Sequence, residues 1–490
     1  MKRIDWQLIS KKGVNFENLW ISLAAHGFID CQRQKRKIFG PAYPTAYRQI
    51  DCHRDMPASD VAKFLKQTKR IEKKEPGSIL KTYYDYQKIL EETEKYLRRL
   101  SDIDFSQFDK KGLVDFFQDY SRRVGRTIWY GYNYYFHQYL GNELYDILKT
   151  KEQDINRQAE LFEILTQAKK LSVVQQEQRK LLLMVKKIKE KKLKIESLAM
   201  TNLINDHLAE FSFMGFFYFR GKRWDFDQVK KRLIIKSQAN FQVEIEKIRK
   251  LERQNNTWSS LAKKLKLSRK EIILVKTLKQ MAYCTNLYDE VSNYVSAQSQ
   301  NLLKEIAKRL KLKYFELIEL DVLEIIRGLR FGLNDQLRGL IKERLQDSAL
   351  ISVDNKVMIL SGITLKKYRA KYIIKEQISN KIREVKGQPA SAGSAKGKVA
   401  LVYGVGDLSK VKRGNIMVAK ATVPSFLPAM ERAAAIITET GGLLSHSAIV
   451  SRELKIPCVV GIDKLMQIFK DGDLVEVDAN NAVVTILKRK

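Results

Sequence analysis

Histidine, cysteine and proline are scarce in this chain: 490 residues include five His, four Cys and eight Pro. The cysteines, Cys31, Cys52, Cys284 and Cys458, are scattered and suit a reducing compartment. No Cys/His cluster has the spacing of a zinc site, so no metal site is expected. No apolar run reaches the roughly 18 residues that a membrane-spanning helix needs. The opening MKRIDWQLISKKG lacks the apolar core of a signal peptide. These absences together predict a cytoplasmic protein without a membrane span. Five histidines also leave few candidates for a catalytic imidazole.

Acidic residues are outnumbered. There are 90 Lys and Arg against 56 Asp and Glu, a net charge of +34. Residues 384–490 hold 15 basic and 10 acidic residues, so most of the excess lies in the first 383. A basic balance of this size can attract nucleic acid, a membrane surface or anionic ligands. The lysines are nevertheless spread along many segments with Glu interleaved, which also fits a lysine-rich composition without such a partner.

Residues 58–345 contain a single proline, Pro76, which leaves room for long helices. Apolar residues recur at three- and four-residue steps over 58–74, 83–100, 111–148, 155–203, 226–254, 258–267, 269–312 and 314–345. The expected architecture is a helical bundle or all-α domain. Residues 18–29 read as a buried helix or strand pair, and 40–49, with two prolines, as a loop. His26 and His53 read as structural. The stretch 349–362 alternates around Asp354-Asn355 as a hairpin would, and 361–378 reads as another helix.

Four stretches in this region carry a functional and a plainer reading. SSLAKKLKLSRKEI (259–272) and LLKEIAKRLKLKYFEL (302–317) have helix-turn-helix spacing beside basic residues; packing elements have the same spacing. IWYGYNYYFHQYL (128–140) and HLAEFSFMGFFYFRGKRW (207–224) are too aromatic for one helix stripe. They are either bundle core or the wall of a pocket for an apolar, hydroxyl-bearing substrate.

The Gly-, Ala- and Ser-rich segment 386–404 marks a boundary, and beyond it the pattern turns α/β. Strands are expected at 398–403, 415–420, 434–438, 457–460, 474–477 and 483–486, and helices at 426–432 and 446–454. The centre of this part is IITETGGLLSHSAIVSRELKIPCVVG (436–461): strand, glycine turn, helix, strand. Gly441-Gly442 permits a turn closed to other residues. Ser445 is placed to cap the helix, which puts His446 in its first turn. Free N–H groups and the positive end of the helix dipole gather there. They favour a bound phosphate and a neutral, nucleophilic imidazole. From spacing alone, a capping or packed histidine is the favoured reading, since glycine turns with a nearby His are common.

The same segment resembles the phosphohistidine signature of the phosphoenolpyruvate-utilising enzymes' mobile domain. Phosphoenolpyruvate synthase, pyruvate phosphate dikinase, enzyme I of the sugar phosphotransferase system and rifampin phosphotransferase carry this domain. Thr438, Glu439, Gly441, Gly442, Ser445, His446, Ala448, Ile449, Arg452, Glu453, Pro457, Val459, Val460 and Gly461 fall where the pattern expects them. The resemblance implies that His446 carries a phosphoryl group, with Gly441, Gly442, Ser445, Thr438 and Arg452 around the phosphate. Leu444 replaces the Thr of many members and leans toward the rifampin phosphotransferase-like branch and away from the sugar-transport branch. Ser447 stands where Ala or Gly is usual. Gly387, Ser391, Gly393 and Gly397 match the domain's opening and residues 470–487 its closing hairpin. The likeness is close over the last 100 or so residues and looser over 200–380. It implies a multidomain chain: a large, mostly α-helical region over 1–383 and a C-terminal α/β (β/β/α) swivelling domain over 384–490.

Members of this kind take phosphoryl groups from an ATP-grasp domain. The first 200 residues contain no Gly-rich phosphate loop with a partnering Lys and no paired metal-binding carboxylates. There is also no room for a TIM barrel that binds pyruvate. The expectation is a phosphotransferase component served by ATP and Mg²⁺ on a separate ATP-grasp partner, passing the group to a small-molecule acceptor on the helical region. A basic helical scaffold, binding nucleic acid and retaining the mobile domain for docking, is the non-enzymatic alternative. Phosphoenolpyruvate or pyruvate transfer with a partner chain is a third.

Overall fold

The computed structural model describes residues 6–11, 18–33, 46–50, 53–130, 134–192, 197–217, 219–238, 245–246, 249, 257–353, 356–372, 382–403, 405–422, 426–443 and 445–490. Helices dominate as far as residue 372, and their ends are written in local chemistry. The periodic stretch 155–203 is not one helix but three: Ile155–Thr166, Val173–Lys191 and Leu198–Phe211. The breaks fall at capping residues. Ser172 and Gln175 form a reciprocal capping box, and Ser197 accepts from the Met200 amide. A periodicity count passes over such caps because apolar spacing resumes in phase.

Other long stretches divide in the same way. Residues 111–148 give Lys110–Tyr130 and Tyr134–Lys151. The 314–345 stretch gives Tyr314–Leu317, Val322–Phe331 and Asp335–Gln346, the second opened by an Asp321–Glu324 capping box. Arg269–Gln298 is followed, after Ser299, by Gln300–Arg309. Of 226–254, Phe226–Gln238 is a helix, and most of the remainder lies outside the described residues.

Residues 18–29 fall in a helix, Asn18–Arg33, buried through Leu19, Trp20 and Leu23 as their sequence allows. Of 40–49, read as a loop, residues 46–49 belong instead to a strand, and 40–45 lie outside the described residues. The N-terminal strands are β1 (Trp6–Lys11), β2 (Ala46–Ile50) and β3 (His53–Pro57). A short hairpin follows much later, β4 (Phe216–Phe217) and β5 (Arg220–Gly221). The expected hairpin is β6 (Ser348–Val353) and β7 (Lys356–Ser361), with Asp354-Asn355 outside the described residues. It does not stand alone: β2 pairs with β6, giving an antiparallel sheet in the order β1-β3-β2-β6-β7. Nearly 300 residues separate β2 from β6, which no local pattern can reveal. Helix Gly362–Tyr372 covers the first part of 361–378; 373–381 lie outside the described residues.

Helix Asn18–Arg33 is tied to the opening of helix Val322–Phe331 by a polar ladder at helical spacing. Asn18 Nδ2 donates to Glu319 at 2.7 Å, Ser22 Oγ donates to Asp321 at 2.8 Å, and His26 Nε2 lies 2.9 Å from the same carboxylate. His26 is therefore a structural residue. The side chain of His53 lies outside the described residues.

The two helix-turn-helix stretches are packing corners. In each, a Lys in the left-handed region ends the first helix (Lys266 at φ +50°, Lys311 at φ +53°), and the next Leu amide donates back to an Ala carbonyl. After the first corner comes Arg269–Gln298, the most heavily buried helix described; after the second, the helix has four residues. Neither offers a free recognition helix. The 207–224 stretch is core: Phe213 stacks on Tyr294 with centroids 4.0 Å apart, and Phe219 meets Trp20 edge-on at 5.4 Å. Among the described residues no helix is long and apolar enough to cross a membrane.

The C-terminal sheet has eight strands: β8 (Glu384–Lys386), β9 (Gln388–Ser391), β10 (Ser394–Val402), β11 (Ile416–Ala419), β12 (Ala435–Thr438), β13 (Cys458–Val460), β14 (Leu474–Asp478) and β15 (Val483–Lys488), in the order β8-β15-β14-β10-β11-β12-β13-β9. The segment read as a boundary, 386–404, thus holds the end of edge strand β8, all of edge strand β9 and all of β10. The first part of β10 pairs antiparallel with β14 and the second part parallel with β11. Gly397 sits at the changeover, where a Cβ would come within 2.4 Å of the Gly414 carbonyl. Strands β10–β13 run parallel and alternate their burial. Val399, Leu401, Ile416, Val418, Ala435 and Ile437 pack on one face; Ala400, Val402, Met417, Ala419 and Ile436 on the other. The architecture is therefore a large helical region and a C-terminal mixed sheet of α/β type.

Candidate functional site

A parallel sheet needs a crossover between neighbouring strands, and the loops at the carboxyl ends of its strands are where such folds place ligands. The crossover from β12 to β13 is the loop 439–445 followed by helix His446–Leu454. The helix has the limits that sequence predicts. It buries Ala448, Val450 and Ser451 against the sheet and leaves its first turn at the loop.

The loop is held from several sides. Gly441 has φ +120°, and a Cβ there would stand 2.8 Å from both Cβ and Oγ of Ser445. Only glycine meets both demands. The Gly442 carbonyl accepts the Ser445 amide at 2.9 Å, and Ser445 Oγ then caps the helix by accepting from the Ala448 amide at 3.3 Å. Thr438, fully buried at the end of β12, lies 3.4 Å through its Oγ1 from Ser447 Oγ, which is 2.9 Å from Ser445 Oγ. Three hydroxyls thus run from the strand end to the helix cap.

Arg452 Nη1 donates to the Ala390 carbonyl at 3.1 Å and Nη2 to the Leu443 carbonyl at 2.9 Å. Its fork ties the glycine loop to edge strand β9 and so helps fix the loop's shape. Glu439, also buried, accepts from the Met466 amide at 2.9 Å and anchors the loop's other side. Behind the helix, burial pushes the Cys458 thiol up to about 12, against the opposing effects of Ser451 and the Arg452 charge. That thiol is a packing group, not a nucleophile.

The backbone of His446 is the first residue of the helix, directly after the Ser445 cap. Leu444 and the His446 imidazole lie outside the described residues and side chains. The structure therefore brings together Thr438, Gly441, Gly442, Ser445 and the His446 backbone, with Arg452 behind them. Sequence reasoning missed Ser447 and Glu439 as parts of the scaffold. The signal for Ser447 was its departure from Ala or Gly, which the hydroxyl bridge explains. Among the described residues no group of three or more His, Cys, Asp and Glu could hold a metal ion.

This arrangement defines a strand–glycine loop–helix unit built to present a side chain at a helix N-terminus. Residues 411–482 match the family described as "PEP-utilising enzyme, mobile domain". A probable phosphoenolpyruvate synthase of Archaeoglobus fulgidus is 42% identical over 125 residues, covering 26% of this chain and 16% of its own. The phosphoenolpyruvate synthase of Pyrococcus furiosus is 41% identical over 133 residues, 27% of this chain and 16% of its own. The uncharacterized phosphotransferase YvkC of Bacillus subtilis is 36% identical over 114 residues, 23% of this chain and 14% of its own. The chain thus matches about one-sixth of the length of these relatives. A solved chain of Thermococcus kodakaraensis aconitase X aligns with 21% of this chain and 98% of its own at 21% identity, with a TM-score of 0.17, too low to carry an argument.

Proposed function

We propose that this protein is a phosphotransferase component in which His446 ferries a phosphoryl group. An imidazole nitrogen of His446 attacks the terminal phosphorus of an ATP-derived donor; the P–N bond forms as the bond to the leaving oxygen breaks. The domain then turns to an acceptor on the helical region. There the acceptor oxygen attacks phosphorus, the P–N bond breaks, and the electron pair returns to the imidazole. A swinging module lets donor and acceptor sites each be preorganised and dry.

The observation that carries this reading is the place of His446 directly after a cap whose loop is fixed by Gly441, Ser445 and Arg452. Amides and the dipole of the first turn stabilise a phosphoryl group there and disfavour the imidazolium. The names and matched segments of the relatives support phosphoryl chemistry through this domain. ATP and Mg²⁺ are assigned to a separate ATP-grasp partner, in keeping with the lack of a phosphate loop in the first 200 residues. The test is incubation with ATP, Mg²⁺ and cell lysate, followed by intact mass under alkaline conditions. Wild type gains one acid-labile phosphoryl group and His446→Ala gains none; equal gain, or none in either, overturns the proposal.

A further inference from the structure

The helical region contains a cleft enclosing about 250 Å³ where three helices and one corner converge. Each helix contributes one stripe. Lys69 and Lys73 stand one turn apart on Ala58–Lys74, Tyr139 and Glu143 one turn apart on Tyr134–Lys151, and Lys270, Leu274 and Thr277 along Arg269–Gln298. The corner is Pro76-Gly77, with Gly77 at φ +94°.

The floor and the rim differ in chemistry. Ile79, Leu140 and Leu274 are buried and apolar; Lys69, Lys73 and Lys270 at the mouth are exposed. Among the described residues none of these three ammonium groups has a carboxylate at ion-pair distance, although Lys149 and Lys151 on Tyr134–Lys151 pair with Asp146 and Glu271. Lys69 Nζ lies instead 4.6 Å from the centroid of the Tyr139 ring. The lining also holds two acids, Glu72 and Glu143, so its three lysines exceed them by one charge. The Glu72 carboxylate is engaged by the Gly77 and Ile79 amides and the Ser78 hydroxyl. Burial raises the Glu143 carboxyl above its ordinary range, the Lys69 charge opposing and the Glu72 charge adding to the rise. The cleft is thus an apolar well under a cationic mouth.

We infer that this cleft is a binding site for a small amphiphilic anion: an apolar or aromatic body seated on Ile79, Leu140 and Leu274, with a carboxylate or phosphate held by Lys69, Lys73 and Lys270. Unpaired cations around a concave apolar floor are the arrangement that selects such a molecule over a neutral one. The site lies beyond the phosphohistidine chemistry proposed above, and its existence does not depend on it.

The test uses the full chain and three probes of matched body: phenyl phosphate, phenylacetate and the uncharged 2-phenylethanol. Binding is read by calorimetry or by ligand-observed NMR. The proposal expects one or both anions to bind at least tenfold tighter than the alcohol; which anion is tighter names the acid group. The exposed double variant Lys69→Gln/Lys270→Gln should lose roughly tenfold in affinity for the anions with an unchanged melting temperature. Leu274→Phe, which fills the floor, should lose binding of all three probes. No binding up to millimolar probe, or binding indifferent to both variants, overturns the site. His446→Ala should bind the probes as wild type does, so that failure here and failure of phosphoryl transfer are told apart.

Discussion

A Cβ on Gly441 would stand 2.8 Å from the hydroxyl oxygen of Ser445, the residue that caps the helix beginning at His446. The glycine and the cap are therefore one device: the close approach of the turn sets the cap, and the cap sets the helix end. Gly441→Ala should lower stability by about 1–3 kcal/mol, from the positive φ and the collision together. Thermal or chemical denaturation measures it. Phosphoryl uptake should fall with it even at temperatures where the variant stays folded, since the helix end is displaced.

Ser445 allows a finer separation. Removing its hydroxyl in Ser445→Ala frees the Ala448 amide and should cost about 1 kcal/mol. Ser445→Asp restores a cap and so stability, but places a negative charge where the phosphoryl group is proposed to sit. The expected result is a stable variant with impaired phosphorylation. If Ser445→Asp is phosphorylated as fast as wild type, the first turn is not the phosphate site.

Much of this site is legible in the sequence, and the reason is locality. Thr438, Gly441, Gly442, Ser445 and His446 lie within nine positions, and turn chemistry, capping and dipole act over that range. Helix His446–Leu454 and the inner strands β10–β13 follow for the same reason. What escaped depends on distance. The contact of Arg452 with the carbonyl of Ala390, 62 residues away, is invisible to local pattern. Edge strand β8 is only three residues long, and Pro389 with the flanking Gly387 and Gly393 breaks the pattern of β9. The five-stranded sheet joins β2 to β6 across the whole helical region. The cleft gathers Lys69, Tyr139 and Lys270 from three helices; Tyr139 and Lys270 belong to two different stretches that sequence singles out, and nothing local joins them.

The buried Glu177 should make the stability of its helical subunit acid-sensitive. Burial alone would push this carboxyl up, but contacts from His207 at 3.0 Å and Arg232 at 2.8 Å outweigh it and hold it below its ordinary range. A carboxyl depressed in the folded state stabilises above its unfolded pKa and loses that contribution as pH falls through the folded value. Stability should therefore decline below about pH 4.5 and more steeply in wild type than in Glu177→Gln. At pH 7 that variant should itself cost roughly 3 kcal/mol, because it leaves Arg232 and His207 without their buried partner. Urea denaturation at pH 7, 5 and 4 reads both effects.

Cys284 and Cys458 should be inert thiols. Burial pushes each up to about 12. Iodoacetamide at pH 8 should leave both unmodified in the native protein and alkylate both after denaturation, as peptide mass mapping would register. Alkylation of native Cys458 would mean that helix His446–Leu454 does not stay packed on its sheet.

The central claim, that His446 presents a nucleophilic imidazole at the mouth of a phosphate-binding turn, can be tested without any partner. Phosphoramidate donates phosphoryl groups directly to accessible, neutral imidazoles. Treatment of the full chain near pH 7, with phosphorus NMR and peptide mapping under alkaline conditions, should yield one predominant acid-labile phosphohistidine, at position 446, absent from His446→Ala and slowed in Gly441→Ala. Labelling that spares His446, or that is unchanged when His446 is replaced, would contradict the account.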